Sequence, residues 1–146
     1  MKIKKVHSLE KKAEEIWIVS PDLHYDTEND TFQTIVKHNL HKGKKYRYIV
    51  PSTTSVLKHI TMYQKDLTIP KDEAQEMFLI LPVSEFNPFL NELAIYNPNA
   101  KSPVACLSVW KDADSDDEVI AIDAKMTKTL ISKFKSVWKK YKRTNP

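Results

Sequence analysis

Glycine is almost missing: Gly43 stands alone among 146 residues, against a usual share of about 7%. Phosphate cradles built from glycine backbone, the P-loop and the dinucleotide fingerprint, are thereby excluded. Cysteine is equally scarce, so the lone Cys106 leaves no internal disulfide. Its neighbours Ala105 and Leu107 read as an apolar strand, and a thiol in such a setting is a small buried hydrophobe rather than a nucleophile. No apolar run approaches the roughly 18 residues of a membrane span. The start, Met1-Lys2-Ile3-Lys4-Lys5, lacks the apolar core of a signal peptide. A soluble, cytoplasmic protein without membrane association is expected. Repeats and low-complexity linkers are lacking too, and the eight prolines are scattered, so residues 1–146 read as one domain.

What is present suits a packed core, with 41% hydrophobic and 10% aromatic residues. The net charge of +4 permits attraction to nucleic acid or an anionic surface without requiring it. Leu9 to Glu15 is compatible with a helix and leads into the apolar run Ile16-Trp17-Ile18-Val19, a buried strand. Phe32, Ile35, Val36 and Leu40 mark one helical face, capped near Asp30 or Thr31 and ended by Gly43. Tyr46 to Val50 alternates as a second strand, which predicts a right-handed parallel βαβ unit. A helix from Ser52 towards Leu67 follows, then strands at Met77–Leu81, Leu93–Tyr96, Val104–Trp110 and Val119–Ile122, and a helix over about Ala124–Lys142. The pattern predicts an α/β fold with a mixed, largely parallel sheet of about six strands and helices on both faces.

Glu118 to Asp123 followed by a helix carrying Leu130, Phe134 and Trp138 resembles the end of one half-domain of the phospholipase D-like superfamily. In active members a His-x-Lys-x-x-x-x-Asp strand supplies the phosphodiester chemistry and a Gly-Ser-x-Asn segment follows it. The equivalent strand here would be residues 91–98, where Asn91 replaces the histidine, Leu93 the lysine and Pro98 the aspartate. Asparagine accepts no phosphoryl group and leucine brings no charge to a phosphate. The resemblance therefore implies the fold without that enzyme activity. It further implies a homodimer, since the family sets two half-domains face to face. Phe86, Phe89 and Leu90 form the expected interface, repeated on both partners.

Four other groups of residues carry possible chemistry. Asp22, His24, Asp26 and Asp30 follow the first strand, where open α/β sheets bind ligands, and suit either a metal or proton-transfer site or a polar loop with a helix cap. Ser52, Thr53 and Thr54, with Arg47, suit either an anion site or helix capping. His38 and His41, without a third ligand at a zinc-like spacing, suit a helix C-terminus. Lys133, Lys135, Lys139, Lys140, Lys142 and Arg143 give the last helix a basic surface that suits either nucleic-acid phosphates or plain solvation. No cofactor or resident metal is expected. The first functional expectation is a non-catalytic interaction, sensory or regulatory module with a protein partner. The alternatives are a metal-dependent hydrolase or nuclease using the acidic loop, and a nucleic-acid-binding domain using the basic helix.

Overall fold

The computed structural model describes residues 1–23, 26–27, 29–86, 92–108 and 119–142. Helix α1 spans Ile3–Lys12 and strand β1 Glu15–Val19; helix α2 (Asp30–His41) leads to β2 (Lys45–Pro51). Helices α3 (Thr54–Asp66) and α4 (Lys71–Met77) precede β3 (Phe78–Leu81). Strands β4 (Leu93–Tyr96), β5 (Val104–Ser108) and β6 (Val119–Ile122) then precede the long α5 (Ala124–Lys142).

All six strands join one sheet in the order β3-β2-β1-β4-β5-β6. Pairs β1·β2 and β2·β3 are parallel, as the βαβ expectation requires, with Trp17 opposite Arg47 and Ile49 opposite Leu79. Pairs β1·β4, β4·β5 and β5·β6 are antiparallel. The expected largely parallel sheet is thus corrected to a mostly antiparallel one. Connection length explains the change: helical crossovers join β1 to β2 and β2 to β3, whereas only Asn97 to Pro103 separates β4 from β5, too short for a parallel return.

Local signals account for most element ends. The Asn29 side chain accepts from the Phe32 N–H at 3.1 Å and so caps α2, one residue before the expected Asp30. Gly43, at φ +77°, donates its N–H to the Leu40 carbonyl at 3.0 Å just past the end of that helix. At the entrance of α5, the Asp123 carboxylate accepts from the Met126 N–H at 2.7 Å. Helix α1 begins six residues before the expected Leu9, at Ile3, because Ile3, Val6 and Glu10 recur at helical spacing and all face inward. Helix α4, seven residues long, carries only Ala74 and Met77 as buried residues and leaves little periodic signal. Thr68 turns the chain between α3 and α4 at φ +55°, an unusual conformation for a β-branched residue.

Alternation along the strands divides the core. One face carries Ile16, Ile18, Tyr46, Tyr48, Val50, Tyr96 and Cys106 beneath Ile3 and Val6 of α1, Phe32 and Val36 of α2, and Val56 and Tyr63 of α3. The other carries Trp17, Ile49, Leu79, Leu93 and Ile95 beneath Ile131 and Phe134 of α5. Helices therefore cover both faces, as the sequence suggests. Phe86 is buried in this second cluster and offers no exposed interface, contrary to expectation, while Phe89 and Leu90 lie outside the described residues. Among the described residues, no helix is long and apolar enough to cross a membrane.

The Phe134 ring stacks on Trp17 with centroids 4.6 Å apart and so joins α5 to the central strand. Phe134→Ala should lower the unfolding free energy by about 3–5 kcal/mol, through lost transfer energy and the cavity left behind. Urea denaturation of the two proteins reads this directly.

Candidate functional site

The carboxyl end of β1 gathers polar side chains that the core does not otherwise tolerate. After Val19, the Ser20 hydroxyl accepts from the Leu23 N–H at 2.9 Å, and Leu23 is fully buried at φ +59°. A leucine in the left-handed region costs on the order of 1 kcal/mol or more. This turn delivers Asp26 to the interior, where it is 2% exposed. Glu10 arrives from α1 and Glu92 from just before β4, and both are buried as well.

Tyrosines supply most of the hydrogen bonds. Asn39 donates from Nδ2 to the Tyr46 hydroxyl at 2.9 Å and to the Glu10 carbonyl at 3.0 Å. Tyr46 in turn donates to Glu10 Oε1 at 3.0 Å. Tyr48 donates to Asp26 Oδ1 at 3.4 Å and shares a 2.8 Å hydrogen bond with the Tyr63 hydroxyl. The Ser20 hydroxyl bonds the Glu92 carboxylate. Asp26 Oδ2, Glu92 Oε1 and Ser108 Oγ are buried without a hydrogen-bond partner among the described residues. A cavity of about 30 Å³ lies between Glu10, Asp26, Glu92, Ser108 and Cys106, with apolar side chains around it.

Burial governs the charge states. Desolvation, helped by the nearby Asp26, pushes the Glu10 carboxyl up from 4.5 to about 8, with only the Tyr46 bond opposing it. Desolvation also raises Asp26 from 3.8 to about 7, and Glu92 well above the usual carboxylate range. Cys106 is pushed up to about 12 by burial, which keeps it an inert thiol as its neighbours suggest.

The acidic residues of the 22–30 segment do not share one site. Asp26 enters the core, Asp30 is exposed in the first turn of α2, and the Asp22 carbonyl meets His59 Nδ1 at 2.9 Å. His24 lies outside the described residues. Among the described residues, no group of three or more histidine, cysteine, aspartate or glutamate side chains could hold a metal. The hydroxyl segment is also dispersed: Thr53 caps α3 by accepting from the Val56 N–H at 3.1 Å, and the Ser52 N–H donates to the Leu81 carbonyl at 2.7 Å. Thr54 is the first residue of α3 and exposed. Arg47, with Trp17 as its strand partner, faces α5 on the other side of the sheet and does not join them.

Arg47 belongs instead to a second site. Its guanidinium lies 5.6 Å from the Trp17 ring centroid and 5.1 Å from that of Trp138, while Lys142 Nζ lies 5.2 Å from Trp138. An open groove of about 800 Å³ begins here and runs past the ends of α2 and α3, lined by Lys37, His41, Lys44, Lys45, Arg47 and Lys142 against Glu73 and Glu76. The Lys142 ammonium donates to the Phe78 carbonyl at 3.2 Å, and partial burial lowers its pKa. Helix carbonyl ends favour cations at this end of the sheet. By helical spacing Lys135, Lys139 and Lys142 follow the groove edge of α5, whereas Lys133 and Lys140 fall on its outer side. Arg143 lies outside the described residues.

Glu10 and Glu92 escaped the sequence reading although each had a signal. Glu10 continues the Ile3 and Val6 face by helical spacing, and Glu92 continues the alternation of Ala94 and Tyr96. No protein-family model and no curated protein matches this chain.

A carboxyl held protonated in the fold but ionised in the unfolded chain weakens folding as pH rises between its two pKa values. For Glu10 that window runs from 4.5 to about 8, and for Asp26 from 3.8 to about 7. Each group should remove up to about 1.4 kcal/mol of stability per pH unit there. Urea unfolding should therefore show a less stable protein at about pH 8 than at about pH 5, and Asp26→Asn should flatten the slope and stabilise the protein at the higher pH.

Proposed function

We propose that this protein is a non-catalytic phospholipase D-like binding module whose basic groove holds the phosphate backbone of a nucleic acid. The observation that carries the reading is the convergence of Lys37, Lys44, Lys45, Arg47 and Lys142 from separate elements on one open groove. Each neutralised phosphate releases counterions, so such a groove gains affinity without needing a base sequence. Base stacking has no part in it. The Trp138 ring is already engaged by Phe134, with centroids 5.8 Å apart, and by Arg47 and Lys142. Single and double strands should accordingly bind with little sequence preference.

The absence of phosphodiester chemistry has support from the strand that corresponds to the family's catalytic one. Leu93 stands at the lysine position and is buried beneath α5, facing the apolar cluster rather than a ligand. The same resemblance implies a homodimer, which sedimentation equilibrium would test.

Fluorescence anisotropy with labelled single- and double-stranded oligonucleotides, across a salt series, tests the groove. Saturable binding should persist near physiological salt. The pair Lys44→Glu, Lys45→Glu should weaken it about ten-fold or more and reduce the salt dependence by about one counterion per lost contact. Affinity unchanged in that pair, or binding lost altogether at physiological salt, would overturn the proposal.

A further inference from the structure

Helix α1 lies over a small chamber whose polar lining, among the described residues, contains no lysine or arginine, and the Met1 ammonium bonds the Val119 carbonyl at its edge. The chamber between Glu10, Asp26, Glu92 and Ser108 measures about 30 Å³, and roughly 10–15 Å³ suffices for one water molecule. Asp26 Oδ2, Glu92 Oε1 and Ser108 Oγ supply the polar partners that an internal water requires, since none has another partner among the described residues. A hard cation is a poorer occupant, because among the described residues the acidic side chains do not converge into a group that could hold one.

We infer that this chamber is hydrated and that α1 is a proton-dependent cover over it, loosened from the sheet when the enclosed carboxyl groups ionise. The groups that face the chamber or its rim come from every adjoining element. They are Glu10 of α1, Asp22 and Asp26 after β1, Tyr46 and Tyr48 of β2, Tyr63 of α3, Glu92 and Tyr96 at β4, Cys106 of β5, and the Met1 ammonium, which bonds the Val119 carbonyl of β6 at 2.9 Å. His7 of α1 stands edge-on to Phe32 at 4.6 Å. Among the described residues, no lysine or arginine lines the chamber to offset a negative charge. Asp26 and Glu10 repel once ionised: burial raises both pKa values, and the Asp26 charge adds to the rise at Glu10.

Helix α1 is held at its two ends rather than along its length, and just before it Met1 exchanges hydrogen bonds with Val119 of β6 at 2.9 and 2.8 Å. Strands β4 and β5 are each paired on both sides, whereas α1 rests on the sheet through Ile3, Val6 and Glu10. Its far end is tied by Asn39 to the Glu10 carbonyl and by Lys44 Nζ to the Lys11 carbonyl at 2.6 Å. Releasing the Asn39 and Lys44 bonds would hydrate Glu10 and leave the β4 and β5 ladders intact.

Amide hydrogen exchange from about pH 5.5 to pH 9, corrected for the intrinsic dependence of exchange on pH, separates this from global unfolding. Protection of the α1 amides should fall about ten-fold or more beyond the loss in β4 and β5, which follow the global stability. In Asp26→Asn, and in Asp26→Asn with Glu10→Gln where the pair folds, the α1 response should shrink or vanish. Protection of α1 that is flat with pH would overturn the inference, as would an equal loss in all strands. Protection restored at high pH by magnesium or manganese would overturn it too, by assigning the chamber to a cation.

Discussion

Strand β1 is apolar on both of its faces, and the rest of the molecule is arranged to keep it dry. Ile16 and Ile18 turn to one face and Trp17 and Val19 to the other, so no single helical layer could cover the strand. The chain builds β2 beside it with a helical crossover, then returns on the other side as β4 in the opposite direction. The crossover fixes the helices of one face. The closing helix α5 then covers the other through Phe134 on Trp17.

Much of this was legible because it depends on local periodicity. The βαβ unit, the glycine at φ +77° after α2, the six strands and the long last helix follow from alternation, helical spacing and end signals. Strand direction was harder, since it depends on whether the connections hold helices, and the turn after Tyr96 gives no periodic signal. Phe86 shows a different limit: an aromatic in a proline-flanked segment looks exposed in sequence yet packs beneath α5. Asp26 shows a third, because a loop rich in acids and amides reads as solvated until the turn at Leu23 carries one carboxyl inward.

Charge is sorted by depth and by end of the sheet. Carboxyl groups collect inside the carboxyl end of β1, where the raised pKa values keep them from acting as full negative charges near neutrality. Lysines collect outside the amino ends of β2 and β3, around Arg47 and the two indoles. The field at the surface is consequently set by the groove, and the interior contributes most to it when the pH is high.

A chain with one glycine must turn corners with side chains that resist the left-handed conformation, and Leu23, Thr68 and Asn97 all do so. Asparagine accommodates it readily, but an exposed threonine at φ +55° stores strain that no buried contact of its own offsets. Position 68 is therefore where a protein engineer would begin. Glycine or asparagine there would trade local strain for a more durable scaffold, and would do so at the rim of the groove without removing any of its cations.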